Sequence, residues 1–342
     1  MRKSKLLILF LLGLFFLAFQ VAEKALFSVP KNWPKPAYDF KKNPLSKEKI
    51  LLGRVLFYDP ILSKDNSISC ASCHSVYTAF THVDHNLSHG INDRIGTRNS
   101  PALMNLAWHK SFMWDGAINH LDMQALAPIS HPNEMGENIQ QVVEKLNASP
   151  LYKQLFFAAY QDSLATGENT LKTISQFMLT LVSSNSKYDS VMRGTSKFTE
   201  QEKSGYVLFK KNCSACHAEP LFTNLEFRNN GLPIDTNLKD FGRMRITQNA
   251  SDSLKFKVPT LRNLEFSYPY MHDGRFKKLK DVLYHYTHLV QTEPNLDKEL
   301  KTPIQLDSKQ QTDLTAFLLT LTDKSFLFNK DFAYPREILK SN

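Results

Sequence analysis

The chain has four cysteines, and all of them lie in two copies of one motif, Cys70-Ala71-Ser72-Cys73-His74 and Cys213-Ser214-Ala215-Cys216-His217. C-x-x-C-H is the attachment signature of a c-type haem: the two thiols add across the porphyrin vinyl groups, and the adjacent imidazole binds the iron from the proximal side. Exported cysteines also form disulfides, four thiols can hold zinc, and one C-x-x-C can be a dithiol redox pair. Zinc gives no reason for a histidine directly after each pair, and the strand-helix alternation expected around a thioredoxin-type motif is missing. Two covalently bound haem c groups are therefore expected, held by Cys70, Cys73, Cys213 and Cys216, with His74 and His217 as iron ligands.

Each motif needs an element to position it, and the flanking sequence is repeated. Leu45-Ser46 opens a helical segment reaching Gly53-Arg54-Val55-Leu56-Phe57, and Phe198-Thr199 opens another reaching Gly205-Tyr206-Val207-Leu208-Phe209. Thr199 and Glu202 have capping-box spacing. Downstream, Pro101-Ala102-Leu103-Met104-Asn105-Leu106 is echoed by Pro259-Thr260-Leu261-Arg262-Asn263-Leu264. At equal offsets follow Met113-Trp114-Asp115-Gly116 with Leu121, and Met271-His272-Asp273-Gly274 with Leu279.

Elsewhere apolar residues recur at helical spacing, as in Ile139-Val142-Val143-Leu146 and Ile174-Phe177-Met178-Leu181, and period-two alternation is scarce. The expected fold is mainly α, with two cytochrome c-like haem domains related by internal duplication, an N-terminal one over 40–190 and a C-terminal one over 196–342. The polar stretch from Ser183 to Lys197, containing Gly194, is the natural passage between them.

The 342 residues exceed the roughly 100–200 typical of one domain. Residues 1–22 combine Arg2, Lys3 and Lys5 with an apolar run from Leu6 to Phe19, which reads as a signal peptide or an N-terminal membrane anchor. Export to a periplasm-like space follows. The net charge of +9 is spread along the chain without an aromatic-interleaved basic stretch, so no nucleic-acid partner is expected. A basic surface suits an acidic redox partner.

The halves differ where chemistry would occur. The first carries His82, His85 and His89 before the repeat, then Trp114, Gln124, His131 and Glu134 after the start of it; His272 stands in the second half where the first has Trp114. A carboxylate beside a peroxide can take a proton from one oxygen and deliver it to the other, so that water leaves. Glu134 has the chemistry for that, and Gln124 for orienting the peroxide, although either residue alone is more often a cap or a surface group.

These motifs, from Leu52 to about Tyr286, resemble those of the bacterial di-haem cytochrome c peroxidase family, which includes the maturation enzyme MauG. The residues that carry the resemblance are Leu52 to Asp59, Leu62-Ser63, Ser69 to His74, Arg98-Asn99-Ser100-Pro101, Phe112 to Gly116, Glu134-Met135, the second haem motif, and Phe256 to Asn263 with Asp273-Gly274. The resemblance implies a low-potential peroxidatic haem on His74 and a high-potential, electron-accepting haem on His217. It implies that His89, in Leu87-Ser88-His89-Gly90, ligates the first iron at rest and leaves on activation. It further implies catalytic roles for Glu134 and Gln124, a position between the haems for Trp114, and a calcium site from the Asn99 side chain and the carbonyls of Ser267 and Pro269. Two positions depart from the pattern. Ala117 replaces the arginine of W-D-G-R, and Tyr286 stands where typical members have a methionine on the second iron; MauG, like this chain, has a tyrosine there. A phenolate stabilises ferric iron and a thioether ferrous iron. The sixth ligand is left open between Tyr286 and, if Tyr286 is a packed helix residue, Met271 or none.

The function expected is reduction of hydrogen peroxide with electrons from a small cytochrome c or copper protein, in an exported chain with a possible membrane tether and a possible homodimer. The alternatives are a MauG-like enzyme oxidising residues of a partner protein, favoured by Tyr286, and a pure electron-transfer cytochrome. Expression in a host with haem-attachment machinery should yield a polypeptide whose mass carries two haem increments; a mass without them removes the basis of all three.

Overall fold

The structure is a computed structural model and describes residues 25–339. The apolar run read as an export signal or anchor lies outside the described residues. Among those described, no helix is long and apolar enough to cross a membrane.

Helices dominate, and their starts follow local chemistry. Helix α1 (Lys47–Tyr58) begins where the Ser46 side chain accepts the Lys49 N–H, α2 (Ile139–Ala148) is capped by Asn138, and α3 (Pro150–Tyr160) starts on a proline whose missing N–H costs nothing there. Helix α4 (Gly167–Thr180) is capped by Thr166, and α5 (Glu200–Asn212) by the expected Thr199–Glu202 box. Helix α6 (Leu279–Tyr284) runs directly into a π-helical turn, His285–Leu289, and α7 (Ser308–Leu319) opens with an Asp307–Gln310 box. Strand among the described residues is limited to Phe227–Arg228 paired antiparallel with Phe256–Lys257.

Two helix pairs frame the molecule. Helix α1 packs on α4, and α5 on α7. At both crossings a glycine of the repeated segment permits backbone contact: a Cβ on Gly53 would run into the Thr173 carbonyl, and one on Gly205 into the Asp313 carbonyl. The downstream repeat is also one of conformation. Phe112 bridges Ile118 as Tyr270 bridges Phe276. Asn105 and Asn263 both sit at φ 57°, Met113 and Met271 at 68° and 75°, and Gly116 and Gly274 at 77° and 68°. A left-handed methionine is strained, and such strain persists only where its surroundings over-determine it.

Apolar side chains gather in two clusters. One is built on Leu52, Leu56, Phe57, Phe80 and Phe177, the other on Phe209, Phe222, Leu314 and Phe317. The chain's end returns to the first cluster, where Phe326, Leu327 and Phe332 pack and the Tyr58 hydroxyl donates to the Phe332 carbonyl at 2.7 Å. The polar stretch after Ser183 is firmly held. Asp323 Oδ2 accepts from Ser184 N at 3.0 Å and Asn185 N at 2.8 Å, and a helix forms over Lys187–Met192 through a Ser186–Asp189 capping box. Asp189 then meets the fully buried Arg262 in a bidentate pair, both contacts at 2.8 Å. The sequence expectation of a simple passage missed this, because the partner of Asp189 lies 73 residues away.

Because each glycine sits at a backbone contact, Gly53→Ala and Gly205→Ala should each force their helix pair apart and cost about 1–3 kcal/mol, as overpacked cores do. Thermal unfolding of the haem-loaded protein measures this, with Gly194→Ala, whose Cβ would meet nothing within 4 Å, as a control for left-handed strain alone.

Candidate functional site

The first motif forms a single helical turn, Cys70–Cys73, opened by a Ser69–Ser72 capping box. The chain then doubles back through a Ser75–Thr81 bridge, with Ala79 and Phe80 both left-handed at φ 57° and 58°. This turn brings the Phe80 carbonyl 2.7 Å from His74 Nδ1, which donates to it. Burial lowers His74 to about 4, so the ring is neutral at ordinary pH. With Nδ1 committed as a donor, Nε2 is the nitrogen left to bind a metal.

The second motif repeats the device. His217 Nδ1 lies 3.2 Å from the carbonyl of Phe222, itself left-handed at φ 54°, and 3.1 Å from the Pro259 carbonyl. Burial lowers His217 to about 4 as well. None of the four cysteines is paired in a disulfide. Burial pushes Cys70 up to about 12 and Cys73 to about 11, the opposite of the lowered thiol in a dithiol redox pair.

A cleft of about 520 Å³ opens beside Cys70, Cys73 and His74. Phe57, Leu103, Ile174 and Met178 supply apolar walls, while His89, Gln124 and Glu134 line the same space. Free thiols, a neutral oriented imidazole and an apolar slot are what a covalently attached haem requires, so the residues fit the group.

The expected distal residues come together here. His89 Nδ1 donates to Asp93 at 2.7 Å, leaving Nε2 available, and its ring stacks on His85 at 4.0 Å. His85 in turn stacks on His82. Glu134 has 31% of its side chain exposed; burial of the remainder raises its carboxyl above the usual range, and His131, 3.9 Å away, opposes this. Gln124 ends the helical turn Leu121–Gln124 and points its amide at Met113 Sδ, 3.8 Å away.

Trp114 sits where the halves meet. Its indole N–H donates to the Asn99 carbonyl at 2.8 Å, and its own carbonyl accepts from Lys257 N at 2.7 Å. Asn99 N–H donates to the His272 carbonyl at 2.7 Å, so one residue joins the two repeated turns. The Asn99 side chain is buried and donates through its nitrogen to the Asn86 carbonyl at 3.0 Å. The contact to His272 brings it alongside the segment that follows Ser267 and Pro269.

The arginine missing at Ala117 is replaced from elsewhere. In the second turn Arg275 pairs with Asp273 at 2.5 Å. In the first, Arg98 contacts Asp115 at 2.6 Å and grips Asp240 through Nε and Nη2 at 2.5 and 2.9 Å. Arg243 also donates to the Asp115 carbonyl at 3.0 Å. The sequence reading quoted Arg98 within a motif without a role, and missed Asp240 altogether.

On the second side, Tyr286 lies in the π-helical turn that follows α6. Burial pushes its phenol up to about 12; the Asn230 amide works against this, and the neighbouring Cys216 and Cys213 add to it. Asn230 Nδ2 is 3.3 Å from the Tyr286 hydroxyl and 3.6 Å from Met271 Sδ, so both expected sixth ligands converge on one amide. A hollow of about 290 Å³ lined by Asn230, Asp240, Phe256 and His272 lies alongside. Phe256 and His272 stack there with ring centres 3.6 Å apart. Asn230 carried no signal in the sequence, because it belongs to neither repeat.

Residues 47–197 match the family model described as di-haem cytochrome c peroxidase. The methylamine utilization protein MauG of Methylorubrum extorquens is 36% identical over 312 residues, covering 88% of this chain and 84% of that protein. The cytochrome c551 peroxidase of Nitrosomonas europaea is 34% identical over 289 residues, covering 82% and 81%. A crystal structure of a MauG-like protein associated with microbial copper homeostasis superposes with a TM-score of 0.78 at 30% identity, over 90% of this chain and 99% of that one. The motifs, their geometry and these relatives agree: the chain belongs to the di-haem cytochrome c peroxidase family, an oxidoreductase with two haem c cofactors that acts on peroxide with electrons from a redox partner.

Proposed function

We propose that peroxide is reduced in the cleft beside Cys70, Cys73 and His74, with Glu134 as its acid-base residue and Gln124 orienting it. The observation that carries this reading is that Glu134, Gln124 and His89 all line the space next to the first motif. Bound there and at Cys213, Cys216 and His217, the haems supply an iron for peroxide and two centres to store electrons. The balance is one peroxide, two protons and two electrons to two waters. Glu134 moves the proton of one peroxide oxygen to the other, so the leaving group is water. That transfer uses the peroxide's own proton, so both protons of the balance come from solvent, to which the partial exposure of Glu134 and the nearby His131 connect the cleft. Gln124 offers an amide that can both donate and accept at the peroxide. His89, its Nδ1 held by Asp93, has Nε2 free and would supply it as the resting ligand of an iron held by His74, to be withdrawn on activation.

A high-potential haem held by Cys213, Cys216 and His217 would take electrons from a small cytochrome c or copper protein, and Trp114, lying between the two sites, would stand on the way to the low-potential haem held by Cys70, Cys73 and His74. A calcium ion held by Asn99 with the carbonyls of Ser267 and Pro269 would stiffen the junction, being an oxygen-seeking cation. Duplication of one haem domain accounts for the paired turns, with units over 40–190 and 196–342. The N-terminal run directs export to the periplasm, as a signal peptide or as a tether, and the chain can act as a homodimer.

A second reading, MauG-like oxidation of a partner protein's residues, is favoured by the position of Tyr286 beside Cys213 and Cys216. Tyr286, supplying an anionic oxygen to an iron held by His217, would lower its potential and favour oxidation of a protein substrate over ordinary donor turnover.

Glu134→Gln should retain both haems and lose about 10²–10⁴-fold in peroxide turnover; stopped-flow consumption near the native rate would remove Glu134 from the mechanism. Tyr286→Phe should alter the ferric spectrum of one haem alone, and an unchanged spectrum would exclude the phenol as a ligand.

A further inference from the structure

Both groups able to complete the second iron's coordination touch one side chain, and a single open position admits only one of them. Asn230 Nδ2 lies 3.3 Å from the Tyr286 hydroxyl and 3.6 Å from Met271 Sδ. We propose that Asn230 is the positioning residue that selects the sixth ligand of the second haem, donating one N–H to the Tyr286 oxygen while the other holds Met271 aside. This rests on the reading of Tyr286 as that ligand.

The amide is built into place. Its Oδ1 accepts the Leu232 N–H at 3.3 Å, which requires the oxygen on that side and turns Nδ2 towards Tyr286 and Met271. The Asn230 carbonyl accepts from His285 Nε2 at 3.1 Å, and Gln291 N donates to the Gly231 carbonyl at 2.8 Å. Gly231 is left-handed at φ 69°, and a Cβ there would press on Val290 and the Gln291 backbone. The segment carrying Asn230 is thus fastened at His285 within the π-helical turn and at Gln291 just beyond it, on both sides of Tyr286. His285 is fully buried, and its Nδ1 finds no partner among the described residues. Such an orphan is costly, and here it accompanies the bond that holds the Asn230 backbone to the π-helical turn.

The two contacts are unequal. A thioether sulfur is a weak acceptor, whereas an oxygen that becomes anionic on metal binding accepts strongly. The same amide therefore favours phenolate over thioether at the metal and, by stabilising the ferric state, lowers the potential.

The test uses the full chain with both haems attached. Asn230→Leu removes both donors at similar volume, and Asn230→Asp keeps the shape while replacing the N–H groups with an acceptor that repels a phenolate. Ferric spectra and the midpoint potential of the second haem are read for each, beside Tyr286→Phe. Both Asn230 variants should lose the Tyr286-dependent spectrum. Asn230→Leu should gain thioether character that Met271→Leu abolishes, and its ferric-to-ferrous equilibrium should move at least about tenfold towards ferrous, about 59 mV for one electron. Native spectra and potentials in both Asn230 variants, with a changed Tyr286→Phe, would overturn the role of Asn230 and leave Tyr286 as ligand. An unchanged Tyr286→Phe would overturn the ligand assignment and the proposal together. Asn230→Asp decides the matter should Asn230→Leu lose its haem.

Discussion

An imidazole that is to hold a metal must be neutral, and one of its nitrogens must be fixed so that the other points in a single direction. Both halves of this chain meet that demand in the same way. The peptide chain after each C-x-x-C-H turns sharply enough to place a phenylalanine carbonyl, Phe80 or Phe222, on the Nδ1 of His74 or His217. In each case that phenylalanine is left-handed, a conformation with a cost for a bulky residue. The cost is tolerable because the same phenylalanine ring is fully buried in an apolar cluster. The cluster needs the crossing helices, and those cross closely only because Gly53 and Gly205 remove a side chain from the contact. Imidazole orientation, turn, core and helix pairing are therefore one connected constraint.

Upon that shared frame the halves are differentiated by polar residues. The cleft beside the first motif receives Glu134, Gln124 and His89 from three separate segments, and in the second half Asn230 meets Met271 and Tyr286. The π-helical turn makes the second arrangement possible, since an extra residue in one turn rotates Tyr286 relative to α6. Between them, Arg98 bonds Asp115 of one repeated turn and Asp240 of the other half. Arg275 acts within its own half, on Asp273 and the Pro233 carbonyl. The loss of an arginine at Ala117 is thus accompanied by a clamp between the halves, and Trp114, Asn99 and His272 are linked across the same seam by hydrogen bonds.

Short-range chemistry determined what could be read directly from the amino acids. The haem attachment pairs depend on residues within five positions, the Thr199–Glu202 box on four, and the repeated turns on glycine and asparagine at fixed offsets. The mainly helical class followed from apolar spacing in the same way. Resemblance extended this reading to Glu134, Gln124 and His89, whose individual signals are no stronger than those of ordinary surface residues. What only tertiary structure decided are the pairings between distant segments: Asp189 with Arg262, the chain's end against Phe80, Arg98 with Asp240, and Asn230 between Met271 and Tyr286. A carboxylate, an arginine or an amide looks the same in sequence whether it faces water or a buried partner. Desolvation and the direction of its hydrogen bonds set its role, and both exist only once the chain has closed on itself.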